Sequence, residues 1–189
     1  MSLELIWGPM FSSKTTTLLQ KLIREASIGC KVLYINSILD TRSDKPYSTH
    51  NPLYKDTLEN IENVTMISCD TLPNLEEICK YESIYIDEAQ MFENLDIIIS
   101  YVEKLHKHVC VSGLVGYASR QPFGNIVSLI PYADKCTVLQ AICRKCREEH
   151  LNNPAIFTHK INNNNDNIDI GGDDKYTAVC RKHYMLLNK

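Results

Sequence analysis

Residues 3–15, Leu3-Glu4-Leu5-Ile6-Trp7-Gly8-Pro9-Met10-Phe11-Ser12-Ser13-Lys14-Thr15, pass from an apolar run through a glycine-started loop to a lysine and a threonine. The run stops abruptly at Gly8, as a buried strand does. From Lys14 the period changes, and Leu18, Leu19, Leu22, Ile23 and Ala26 recur at helical spacing, with Gly29 as a stop signal. Gly8 to Thr15 matches the pattern G-x-x-x-x-G-K-S/T at all but one of its fixed positions. Between a strand and a helix, such a loop turns backbone N–H groups onto phosphate oxygens. Lys14 is then placed to neutralise the outer phosphates of a nucleoside triphosphate, and the Thr15 hydroxyl to ligate magnesium. The departure is Ser13, where a second glycine is expected and a side chain demands a less favourable backbone angle.

Working outward, Lys31–Ile35 reads as a second strand, so the chain opens as strand, loop, helix, strand, the unit of parallel sheets. Residues 40–60 are polar and read as a long loop. Val64–Ile67 reads as a strand, Leu72–Tyr81 as a helix with Pro73 in its first turn, and Ser83–Ile86 as a strand. Glu93–Lys107 carries Leu95, Ile98, Ile99, Val102 and Leu105 on one helical face. Val109–Val111 and Thr137–Leu139 are further strands. The alternation predicts an α/β fold over residues 1–142, a parallel sheet flanked by helices. Residues 143–189 differ in composition, and their Asn162–Asn165 run suits a loop carried between anchored ends.

The strand at Ser83–Ile86 closes on Asp87-Glu88. Strand C-terminal ends line the ligand crevice of open α/β sheets. Asp87 is placed to hold magnesium, and Glu88 to act as a base on a hydroxyl that attacks ATP. Further on, Cys143-x-x-Cys146 is answered by Cys180-x-x-His183, three thiolates and an imidazole. In a reducing compartment this spacing predicts tetrahedral zinc with no open position, hence a structural metal. Cys30, Cys69, Cys79 and Cys110 stand alone in apolar surroundings and are expected in the core. His106 and His108 flank a helix end and are expected to be solvated, and His150 is off the ligand spacing.

A length of 189 residues suits one domain with a small appendage. A formal charge of -3 disfavours a protein that coats nucleic acid. No apolar stretch approaches the ~20 residues a membrane helix needs. Met1-Ser2-Leu3-Glu4 does not open a signal peptide. The expectation is a cytoplasmic protein with no membrane or nucleic-acid partner.

Together these elements make the chain resemble the type II, zinc-containing thymidine kinases of cells and viruses, from Leu5 to about Tyr184. Gly8-Pro9-Met10-Phe11-Ser12, Asp40-Thr41-Arg42 with Thr49-His50, and Ile86-Asp87-Glu88-Ala89-Gln90 carry the resemblance. So do Pro122-Phe123-Gly124, Ile170-Gly171-Gly172 and Asp174-Lys175-Tyr176. The resemblance implies a RecA-like P-loop domain followed by a zinc-binding lasso subdomain. It also implies transfer of the ATP γ-phosphate to the 5′-hydroxyl of thymidine, or of deoxyuridine, giving the nucleotide and ADP. ATP and Mg2+ would be held by Gly8, Pro9, Met10, Phe11, Ser12, Ser13, Lys14 and Thr15, with Asp40, Asp87 and Gln90. Glu88 would be the general base, and Arg42 would stabilise charge on the transferring phosphoryl group. Met10, Met91, Tyr117, Ala118, Phe123 and Thr158 would surround the base. Asn167, Ile168, Asp169, Ile170, Gly171 and Tyr176 belong to the segment that would close over it. A homotetramer inhibited by thymidine triphosphate is implied as well.

Besides Ser13, two positions depart from the family pattern. Val115 follows Gly113-Leu114 where the family has Asp, and Ala118 replaces an aromatic, with Tyr117 beside it as a ring able to stack instead. These departures motivate an alternative, a nucleotide-binding relative that has lost catalysis. Retention of Lys14, Thr15, Arg42, Asp87 and Glu88 argues against it. Asp87-Glu88-Ala89-Gln90 also suggests a nucleic-acid motor, but the chain is too short for two lobes and shows no basic stripe.

Overall fold

Short, near-continuous apolar runs bury consecutive strand residues and so give the sheet two buried faces. The structure, a computed structural model, describes residues 1–41, 61–161 and 170–188. Its main sheet holds β1 (Ser2–Trp7), β2 (Val32–Ser37), β3 (Val64–Cys69), β4 (Ser83–Ile86), β5 (His108–Gly113) and β6 (Lys135–Val138). The order is β3-β2-β4-β5-β1-β6, and every pairing is parallel. Leu5, Val111, Ile86, Ile35 and Ile67 stand in one register row across it. That row belongs to the larger core, with Leu3, Leu33, Ile84 and Val109 one pleat away. Between them Ile6, Val32, Tyr34, Tyr85 and Cys110 point to the opposite face, where Leu18, Leu19 and Leu22 of α1 (Lys14–Ala26) cover them. Consecutive strand residues therefore face different helices, as the period of two requires.

The face of the larger core is closed by α2 (Leu75–Ile78), by α3 (Ile97–Glu103) and by a 3-10 segment, Ile126–Tyr132. Both α2 and α3 are shorter than the apolar periodicity predicts, and Asn94 explains the start of α3. Its side chain accepts from Leu72 N at 3.0 Å and donates to Leu72 O at 3.1 Å, which ties residue 94 to another segment. The turn after it is tight, with Ile97, Ile98 and Ile99 N–H groups bonding three residues back. The left-handed His106, φ 54°, lies beyond the other end of α3. Asn74 starts α2 with a capping box to Glu77, so Pro73 lies before the helix rather than in its first turn.

Two antiparallel pairs follow the main sheet: β7 (Ala141–Ile142) with β8 (Pro154–Ala155), and β9 (Phe157–Lys160) with β10 (Tyr176–Val179). With α4 (Arg144–Glu148) and α5 (Arg181–Leu187) they enclose a separate apolar cluster of Ala141, Cys143, Cys146, Ala155, Ala178, Val179 and Tyr184. Among the described residues no helix is long and apolar enough to cross a membrane.

Two sequence expectations are corrected here. Of Cys30, Cys69, Cys79 and Cys110, only Cys110 is buried; Cys30 and Cys69 are half-buried and Cys79 is exposed, as is the further isolated Cys136. Cys79 directly follows the short α2 and falls outside its packed face. His108 is not solvated either. As the first residue of β5 it sits half-buried, with Nδ1 2.6 Å from Ser2 Oγ and Nε2 3.5 Å from Glu25. The polar loop expected over 40–60 lies, from residue 42 onward, outside the described residues.

Asn94→Ala removes two side-chain hydrogen bonds and is expected to cost about 1–3 kcal/mol, measured by urea denaturation.

Candidate active site

β1 delivers the chain to Gly8, where a Cβ would stand 2.5 Å from Leu139 O and 2.7 Å from Ser12 Oγ. Only glycine lets the loop pass so close to the end of β6. Ser12 Oγ and Lys14 Nζ both donate to Pro9 O, at 2.7 and 2.9 Å, folding the loop around that carbonyl. Ser13 adopts φ 63°, ψ 30°, the left-handed conformation that the missing glycine would take without cost. Phe11, at φ 65° and partly exposed, is a second such position. The Ser13 carbonyl then accepts from both N and Oγ1 of Thr17 at 2.9 Å, which starts α1.

Across from the loop, Asp87 follows β4 and is almost wholly buried. Thr15 Oγ1 donates to it at 2.7 Å and Tyr34 OH at 3.2 Å, and Ser112 Oγ donates as well. The Glu88 N–H adds a bond of 3.1 Å. Burial, followed by the charge of Glu88, pushes the Asp87 carboxyl upward, and the Ser112, Thr15 and Glu88 N–H bonds oppose that push. Burial and then Asp87 raise the Tyr34 phenol, which keeps it a neutral donor. Tyr34 and Ser112 were missed from sequence. Their signal is position alone, since Ser112 lies near the C-terminal end of β5 and Tyr34 inside β2.

Glu88 has φ 48°, another left-handed non-glycine residue. Gln90 Nε2 donates to its carboxylate at 2.6 Å, while Gln90 Oε1 accepts from Leu114 N at 2.8 Å. Gln90, grouped on sequence with the ATP contacts, thus bridges Glu88 to the end of β5. Two glycines make room for it, because a Cβ on Gly113 would lie 2.5 Å from Gln90 Oε1 and one on Gly124 2.5 Å from Gln90 O. Asp40 is buried at the end of β2 and accepts from Asn36 Nδ2 at 3.1 Å. Arg42, Asn167, Ile168 and Asp169 lie outside the described residues.

Beside the loop opens a cavity of about 310 Å³, near the lower size limit of ligand pockets. Trp7, Gly8 and Pro9 form one wall, Leu114 to Tyr117 with Arg120 a second, and Val138 to Gln140 with Ile156 to Thr158 the rest. Of the residues expected around a base, Tyr117 and Thr158 line it. Thr158 Oγ1 also accepts from Met10 N at 3.0 Å, tying β9 to the phosphate loop. Tyr117 stacks on Phe123, with ring centroids 4.1 Å apart. Ala118, Met91 and Phe123 are not among the lining residues. Ile170 and Gly171 lie on the approach to β10, which Tyr176 begins, with Lys175 Nζ donating to Ile170 O at 2.9 Å and Tyr176 N bonded to Gly172 O.

Cys143, Cys146, Cys180 and His183 converge, their ligand atoms all within 4.8 Å of one another. Cys146 and Cys180 Sγ are 3.8 Å apart, and His183 Nδ1 is 3.4–3.5 Å from each sulfur. Tetrahedral zinc with ordinary bond lengths sets its ligand atoms about 3.5–3.8 Å apart, so the donor set fits that ion. His183 Nε2 faces Glu149 at 3.6 Å, the outer carboxylate that commonly orients a metal-bound imidazole. Burial opposes ionisation of Cys143, but backbone N–H groups of Cys146 and Cys180 and the His183 ring outweigh it and lower the thiol to about 6. The thiolate a metal needs is therefore favoured.

Two outcomes follow. Ser13→Gly relieves left-handed strain and is expected to stabilise the protein by about 1 kcal/mol in urea denaturation. Cys143→Ser is expected to abolish stoichiometric zinc, read by metal analysis, and to expose residues 141–187 to limited proteolysis.

The thymidine kinase family model matches residues 1–184. Thymidine kinase of Choristoneura fumiferana entomopoxvirus is 37% identical over 187 residues, covering 97% of this chain and 96% of that protein. Thymidine kinases of Myxoma virus (strain Uriarra) and Vaccinia virus (strain Ankara) are each 34% identical, again over 97% of this chain and 96% of theirs. A phosphate loop facing a buried Asp-Glu pair, a cavity beside it and a Cys3His cluster accord with these matches, and the chain belongs to the thymidine kinase family.

Proposed function

We propose that this chain transfers the γ-phosphoryl group of ATP to the 5′-hydroxyl of thymidine, with Glu88 as general base. The observation that carries the reading is the junction after β4. There Asp87 grips the phosphate loop through Thr15, and the next carboxylate, Glu88, is held separately by Gln90. Loop N–H groups and Lys14 bind the outer phosphates. Thr15 and Asp87 are the residues to hold magnesium, which supplies charge neutralisation between those phosphates when bound. Glu88 takes the proton as the 5′-oxygen attacks the γ-phosphorus, and the bond from that phosphorus to the bridging oxygen breaks to release ADP.

The cavity flanked by Tyr117 and Thr158 takes the base, with Val115 giving it an apolar wall in place of a carboxylate. Asn167 to Tyr176 closes over it, Arg42 stabilises the transferring group, and Asp40 lies near the magnesium. The Cys3His cluster holds structural zinc, since four protein ligands leave no position for a reactant.

The test is ADP formation with ATP, magnesium and a panel of nucleosides, with Lys14→Ala as the inactive control. Thymidine is expected to drive turnover, and Glu88→Gln to lower kcat about 10²–10⁴-fold while ATP binding persists. Turnover by Glu88→Gln equal to that of the unaltered protein would remove Glu88 as the base.

A further inference from the structure

We propose that the hairpin from Gly116 to Pro122 positions the nucleoside and is itself locked by Tyr184 of the metal-binding unit, making Tyr184 a positioning residue for thymidine and not for ATP. The inference rests on the reading of the cavity as the base site. The hairpin extends from the end of β5 and is closed by the Gly116–Pro122 bridge. Tyr117 N bonds Gln121 O and Arg120 N bonds Tyr117 O, both at 2.9 Å, with Arg120 left-handed at φ 66°. A tip held by so few local bonds keeps its place only if something outside it does the holding.

Its outer side meets α5 and β9. Tyr184 OH donates to Ala118 O at 2.6 Å. The Arg120 guanidinium lies 4.7 Å from the Tyr184 ring centre and 5.9 Å from that of Phe157. The Phe157 and Tyr184 rings pack with centroids 4.9 Å apart. Tyr184 is 4% exposed, so its phenol needs the Ala118 carbonyl as much as the hairpin needs the phenol. Tyr184 directly follows His183, and the Tyr184 N–H donates to Cys180 O at 2.9 Å. Ligation of Cys180 and His183 therefore fixes the turn from which Tyr184 projects.

The inner side of the same hairpin is the cavity wall. Tyr117 and Arg120 line the cavity, and Tyr117 is backed by the stack on Phe123. The departure at position 118 takes on a different meaning in this arrangement. What that residue contributes is a backbone carbonyl, which any side chain supplies equally, and the aromatic surface comes from Tyr117 one residue earlier. The phosphate loop is joined to the metal-binding unit elsewhere, through Met10 N and Thr158 Oγ1, and that link does not involve Tyr184.

The experiment compares the full chain with Tyr184→Phe and Tyr117→Leu, measuring zinc content, kcat, and KM for thymidine and for ATP separately. Tyr184→Phe keeps the ring and loses one hydrogen bond. It is expected to retain zinc, to raise the thymidine KM about three- to tenfold, and to leave the ATP KM within about twofold. Tyr117→Leu is expected to raise the thymidine KM as well. If Tyr117→Leu raises it and Tyr184→Phe does not, the lock is overturned and the base site stands. If neither moves it, the base-site reading fails and takes the lock with it. A rise in both KM values together, or loss of zinc in Tyr184→Phe, would mark Tyr184 as a structural residue only and overturn the proposal.

Discussion

The carboxylate of Asp87 is the point on which the site is assembled. A buried carboxylate is tolerated only when hydrogen bonds replace its lost water. Here they come from the first turn of α1, from β2, from the end of β5 and from the N–H of the next residue. Each donor is thereby drawn to one place. The phosphate loop is set against the C-terminal end of the sheet by Thr15, and β2 and β5 are joined through a group that directly follows β4, the strand between them. Loss of any one donor would leave its share of the charge uncompensated, so the arrangement resists piecemeal change.

Around this point the backbone is strained. Ser13 and Glu88 are both left-handed without being glycine, and Phe11 is a third such residue within the loop. Conformations of this kind persist where the surrounding structure over-determines them. For Glu88 the over-determination is visible: Gln90 holds its carboxylate, Leu114 N holds Gln90, and Gly113 and Gly124 leave the space that Gln90 fills. For Ser13 the two bonds from Thr17 serve the same end, at the very start of α1.

What could be read from the sequence was what is written locally. The phosphate loop, the Asp87-Glu88 pair and the two halves of the Cys3His cluster each occupy a few consecutive residues whose spacing carries the chemistry. The strands were legible for the same reason, since a short apolar run bounded by turn residues is a local property. Tyr34 and Ser112 were not legible, because only the strand order brings them to Asp87. Helix length was over-read at Glu93–Lys107, where apolar periodicity continues through residues that Asn94 ties to Leu72 instead. Ala118 shows a different limit, since side-chain identity says nothing about the carbonyl that Tyr184 meets.

The rung that joins β9 to β10 has one more consequence. Lys160 stands opposite Tyr176, and Ile161 N bonds Lys175 O just beyond, so the segment between them starts and finishes at a paired position. The Cys3His cluster joins the same unit from its two ends. Where two positions are already held together, lengthening the connection between them costs little, about 0.6 kcal/mol for each doubling of its length. Natural variation in that stretch can therefore explore new lengths and compositions while the parallel sheet, the phosphate loop and the acidic pair stay as they are. Insertions there would be borne without endangering the fold on either side.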